Sequence, residues 1–173
     1  MTGTKPDERL RTPYPWTAQD PGHGFTTGTP WESFSDGADT ANVAAEASDA
    51  TSIYSTYRDL IQLRDGHPAL RAGDLARVKA SSRTVAAWLR WFGDERVLVL
   101  HNLGPDPVAG LTLDLAEGPL CGTPTATLLY ATGGSAAAAE IAAPSVNAKG
   151  GFDAYAPVSN LPAGSTMVIG LGR

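Results

Sequence analysis

Near its start the 173-residue chain carries KPDERLRTPYPW, in which Asp7 and Glu8 adjoin Arg9 and Arg11. Paired carboxylates can perform general acid–base chemistry when burial or like charge raises one pKa above the other. The flanking arginines act the other way and favour both ionised forms. The group therefore reads as a solvated ion-pair cluster beside a proline turn. Asp20, Glu32, Asp36 and Asp39 lie farther along the same stretch, and their spacing alone pairs none of them. No catalytic residue is assigned.

The aromatic side chains are better placed for chemistry of another kind. Tyr14, Trp16, Phe25 and Trp31 stand among turn-forming residues in PWTAQDPGHGFTTGTPWESFSDGAD. Sugars present C–H faces that stack on such rings, so these four are the candidate carbohydrate-binding residues. The competing reading is that the rings pin the segment against protein. His23, His67 and His101 are too scattered for a metal site or a triad, and His67 in Gly-His-Pro reads as a helix-end cap. Cys121 is the sole cysteine, with no ligand spacing around it. Ser52, Ser55 and Ser81 lack a Gly-x-Ser-x-Gly setting. No acidic loop of EF-hand type is present, and neither a metal nor a cofactor is expected.

The elements that must carry these residues fall into three stretches. Residues 1–48 show neither helical nor strand periodicity and form a loop-rich arm. Its aromatics separate it from a disordered tail. Residues 49–70 hold an amphipathic helix: Ile53, Tyr57, Leu60 and Ile61 recur on one stripe. Asp49 or Thr51 is its expected N-cap, Gly66 its end, and Pro68 a bar to continuation. Residues 71–173 have the rhythm of antiparallel strands. TVAAWLRWF and RVLVLHNL form a hairpin across GDE, and LTLDL alternates with its leucines inward. Trp88 and Trp91 point to opposite faces, one toward the core and the other under the helix or toward solvent. TATLLY, DAYAPV and STMVIGL follow at sandwich spacing. GGSAAAAEIAA is helical by propensity but short and led by glycines, so a loop or strand edge competes.

A net charge of −5 argues against nucleic acid as a partner. No apolar run approaches the ~20 residues of a membrane span, and no apolar h-region follows the first residues. A soluble chain without a signal peptide is expected.

GTKPDERLRTPYPWTAQDPGHGFTTGTPW, followed by NVAAEASDATSIYSTYRDLIQLRDGHPAL, closely resembles the C-terminal stretch of the α-amylase superfamily of glycoside hydrolases. WLRWFGDERVLVLHNL and LPAGSTMVIGL are similar to the first hairpin and last strand of that family's domain C. The resemblance implies a segment that leaves the eighth strand of a (β/α)₈ barrel, a last barrel helix, and an antiparallel Greek-key sandwich. Tyr14 stands where the family more often has Met. The family cleaves glycosidic bonds with two opposed carboxylates, set among Asn-His, Arg-x-Asp and His-Asp motifs. None of these motifs occurs here, and the resemblance implies a start downstream of them.

The expected fold is therefore mainly β, an antiparallel Greek-key β-sandwich preceded by a loop-rich arm and one α-helix, with no complete barrel. The expected function is carbohydrate association, with α-glucan (starch or maltooligosaccharide) as partner and the arm as contact. A compact hydrolase with a non-standard carboxylate pair is one rival. A self-association module is another, forming a homo-dimer through the helix stripe or the arm.

Overall fold

The computed structural model describes residues 11–19, 21–132 and 140–172. Asp7, Glu8, Arg9, Asp20 and most of GGSAAAAEIAA lie outside the described residues. Two compact units divide the chain, residues 1–60 and 61–173.

In the first unit, irregular chain leads to a short helix α1, Val43–Ser48, and then to the start of α2, Ile53–Gly66. Asn42 caps α1. Its Oδ1 accepts the Ala45 N–H at 3.0 Å while its Nδ2 donates to the carbonyls of Ala38 and Asp39, both at 3.2 Å. A helix of this length shows no periodicity to read, so the cap carries the signal. The N-cap of α2 is Ser52 rather than Asp49 or Thr51. Ser52 Oγ accepts the Ser55 N–H at 3.0 Å, the side-chain-to-N3 bond that defines a cap. Asp49 instead closes a local turn, its Oδ1 accepting the Thr51 N–H and hydroxyl, each at 2.8 Å.

The second unit begins with the end of α2. Pro68 does not simply stop the helix; it opens a further one, α3, Pro68–Ala72, because the first helical position needs no N–H. The strands follow: β1 Asp74–Ala80, β2 Val85–Phe92, β3 Glu95–Asn102, β4 Val108–Ala109, β5 Leu113–Leu115, β6 Thr125–Ala131, β7 Phe152–Tyr155, β8 Asn160–Leu161 and β9 Thr166–Gly172. Seven of them form an antiparallel sheet in the order β6-β9-β3-β2-β1-β5-β7, and β4 pairs with β8. β1, β2 and β3 are a meander, and β5 returns to lie beside β1, which is a Greek key.

The sheet curls because β1 serves two partners: Asp74–Val78 pairs with β2, whereas Lys79 and Ala80 pair with β5. The two halves thus enclose one core. Leu89, Leu98, Leu100, Leu113, Phe152 and Ile169 in it are all 0% exposed. Each such side chain contributes about 1.5–3 kcal/mol by leaving water. Among the described residues the sheet does not close into a barrel. Tyr155 lies in this core with its hydroxyl donating to the Ala142 carbonyl at 2.6 Å, and burial pushes its pKa up.

The opposite face of β2, β3 and β9 carries Val97, Val99 and Val168, packed with Ala69, Leu63 and Leu70 of the helical turn region. Trp88 belongs to this smaller cluster and Trp91 packs against the main core, as the alternation of β2 requires. His67 occupies the N-cap position of α3, yet its side chain makes no cap bond. The Glu95 carboxylate does so in its place, accepting the Ala69 N–H at 2.6 Å.

Candidate functional site

The arm is shaped by one unusual turn. Gly22, His23 and Gly24 all have positive φ, at 83°, 46° and 74°. At Gly22 a Cβ would lie 2.2 Å from the Thr26 carbonyl oxygen, so only glycine fits there. The His23 carbonyl then accepts the N–H groups of Trp16 and Thr17, at 2.9 and 3.1 Å. The residue as a whole is 7% exposed, and Nδ1 donates to the Thr17 carbonyl at 3.1 Å. The ring meets Phe34 edge-on at 4.5 Å, and Nε2 lies 3.8 Å from Asp39 Oδ1. A bulky residue at positive φ is retained where its surroundings fix it. His23 therefore anchors the loop, a role its isolation in the sequence concealed; the glycines on both sides were the available signal.

From this anchor the loop is tied to α1, whose Val43 and Ala44 N–H groups donate to the carbonyls of Pro15 and Trp16, at 3.2 and 3.0 Å. Backbone so bonded holds its side chains in place without burying them. Tyr14 is 58% exposed, Trp16 51%, Phe25 49% and Trp31 68%. Tyr14 and Trp16 form an edge-on pair with centroids 5.4 Å apart. Phe25 stands with Phe34 at 6.5 Å, and Trp31 belongs to neither group.

Tyr14 also lines a groove of about 280 Å³ with Thr12, Pro15, Asn42, Glu46 and Tyr54. Glu46 Oε2 accepts the Tyr54 N–H at 3.2 Å, so its carboxylate braces the start of α2. Glu46 and Tyr54 were not legible as site residues, because they stand 32 and 40 positions from Tyr14 and only the fold brings them to it. The groove combines two tyrosine rings with hydrogen-bonding groups, the usual composition of a small polar-ligand site.

The arrangement offers stacking surface more readily than acid–base chemistry. Asp49 is held below the usual carboxylate range by the Thr51 N–H and hydroxyl, the reverse of what a general acid requires. Among the described residues no group of three or more His, Cys, Asp or Glu side chains could hold a metal ion. Among the described residues no helix is long and apolar enough to cross a membrane.

Residues 1–73 match the family model described as alpha amylase, catalytic domain. Alpha-amylase 3 of Dictyoglomus thermophilum is 32% identical over 103 residues, 60% of this chain and 20% of that protein. Trehalose-6-phosphate hydrolase of Bacillus subtilis is 33% identical over 98 residues, 57% of this chain and 17% of that protein. Among solved structures, trehalulose synthase MutB from Pseudomonas mesoacidophila aligns over 93% of this chain and 25% of its own, with a TM-score of 0.62 and 29% identity. The chain thus spans a fifth or less of those curated relatives and a quarter of that structure.

Proposed function

We propose that this chain, a homologue of the α-amylase-family glycoside hydrolases corresponding to their C-terminal part, associates with α-glucans through its aromatic arm and does not itself turn them over. One observation carries the reading: Tyr14, Trp16, Phe25 and Trp31 are all about half exposed or more, and His23 and α1 hold the backbone at Pro15, Trp16 and Thr17 by hydrogen bonds. Rings that merely pinned the arm within its own unit would be covered. A preorganised aromatic surface loses little entropy when a sugar stacks on it.

Retardation of the 173-residue chain in native gels containing amylose tests this. Trp16→Ala and Trp31→Ala are each expected to weaken the interaction roughly fivefold, about 1 kcal/mol per ring. Phe92→Ala, exposed in the other unit, is expected to leave it unchanged. Equal mobility with and without amylose would refute the proposal. Maltooligosaccharide hydrolysis that one Asp or Glu substitution abolishes would favour the compact-hydrolase rival.

A second reading rests on the stripe of α2, where Ile53 is 73%, Tyr57 67% and Ile61 57% exposed. Apolar surface of this kind finds a partner, and a second copy of the chain is the partner proposed for it.

A further inference from the structure

The β1–β2 hairpin has an outer face, opposite the core side that Val78 and Ala87 occupy, and on it Arg77 and Trp88 are register partners. Alternation places Lys79 beside Arg77 on the same face, and Arg83 lies in the turn between the strands. With Leu75 and Ala86 they line a groove of about 720 Å³. Arg77, Lys79 and Arg83 are exposed, and among the described residues their side chains form no ion pair or hydrogen bond. Asp114 sits opposite Lys79 in the register, but its Oδ1 accepts the Ala154 N–H.

Arg77, Lys79 and Arg83 lie within seven residues, and the Asp114 carboxylate opposite Lys79 offsets only part of their charge, in a chain whose net charge is −5. Trp88, paired with Arg77 at the end of this row away from Arg83, is only half-buried; it packs on the small cluster of Val97, Val99 and Val168, and His101 lies 4.9 Å away. The groove therefore combines a rigid ring platform with a concentrated positive charge.

We infer that this groove binds a phosphate monoester borne on a single sugar ring, with the phosphate held by Arg77, Lys79 and Arg83 and the sugar face lying on Trp88. A phosphate monoester is close to dianionic at neutral pH and has three accepting oxygens, which suits three cations better than a carboxylate does. The surrounding negative charge of the protein disfavours an extended polyanion such as nucleic acid. The inference uses residues 75–88 and nothing of the arm, so it stands or falls separately from the α-glucan reading.

Amide and indole NMR shifts of the whole chain, titrated with glucose 6-phosphate, glucose and inorganic phosphate in turn, provide the test. Glucose 6-phosphate is expected to move the Arg77–Trp88 amides and the Trp88 indole N–H, with affinity at least about tenfold above that for glucose. Inorganic phosphate is expected to move the amides around Arg83 and spare the indole. Arg83→Ala, in the turn where folding is not at stake, should weaken glucose 6-phosphate binding at least about fivefold, and Lys79→Ala likewise. Equal affinity for glucose and glucose 6-phosphate, shifts confined to other residues, or unchanged binding in both variants would overturn the assignment.

Discussion

Glu95 grips two points of one turn: its Oε1 lies 2.6 Å from His67 Nδ1, and its Oε2 accepts the Ala69 N–H at the same distance. The first residue of β3 thus fixes the N-terminus of α3 onto the sheet. Arg90 does the same at the other end, donating to the Leu70 carbonyl at 2.9 Å and the Gly73 carbonyl at 2.8 Å.

Removing Glu95 leaves a part-buried N–H and an imidazole without their acceptor. Glu95→Ala is expected to lower stability by about 1–3 kcal/mol, and Glu95→Gln, which keeps one acceptor, by less. Urea unfolding followed by tryptophan fluorescence measures both. A loss under about 0.5 kcal/mol for the alanine variant would show that the turn holds without this clamp.

His101 makes stability depend on pH. Burial against Trp88 and Thr166 lowers its pKa from the ordinary 6.5, so between the two values the unfolded chain binds the proton and the folded one does not. Its contribution is complete above pH 6.5 and is lost as pH falls through the lower, folded value. The thermal midpoint of the wild-type chain should therefore drop more between pH 7 and pH 5 than that of His101→Gln. Parallel curves for the two proteins would contradict this.

Close backbone approach makes Gly151 irreplaceable. A Cβ there would stand 1.9 Å from the Leu115 carbonyl oxygen, where β5 passes the loop organised by Asn147. Gly151→Ala is expected to cost about 3 kcal/mol or more, at the upper end of overpacking effects. Gly66→Ala, with open space around it and no positive φ, serves as the comparison and should cost far less. Calorimetric midpoints of the two variants provide the measurement.

What could be read from the residues followed from local periodicity. Val85, Ala87 and Leu89 alternate with outward residues, and Leu111, Leu113 and Leu115 do likewise, so the strands and their buried faces were legible. The stripe of α2 was legible for the same reason, and its cap was misplaced by one to three residues, because Asp49, Thr51 and Ser52 all have capping side chains. The helices α1 and α3 have six and five residues, too few for a period to emerge. The Glu95–His67 contact joins positions 28 residues apart, and only the fold brings them together. The same holds for the groove formed by Tyr14, Glu46 and Tyr54, and for the face that Arg77 and Lys79 share with Trp88, which the pairing of β1 with β2 assembles.

Self-association through α2 is the remaining expectation. Ile53, Tyr57 and Ile61 are mostly in water, and covering each fully would contribute about 1.5–3 kcal/mol, a gain that association must set against lost rotational and translational freedom. Light scattering after size exclusion at high protein concentration should give a mass above that of one chain. Ile61→Asp should return it to the monomer, since a carboxylate in the covered stripe would lose its hydration without gaining a partner. Gln62→Ala, exposed on the same helix but on the face opposite the stripe, should leave the dimer intact. A monomeric wild-type chain at every concentration tested would show that the stripe is tolerated in water, and one whose mass Ile61→Asp leaves unchanged would place the contact elsewhere.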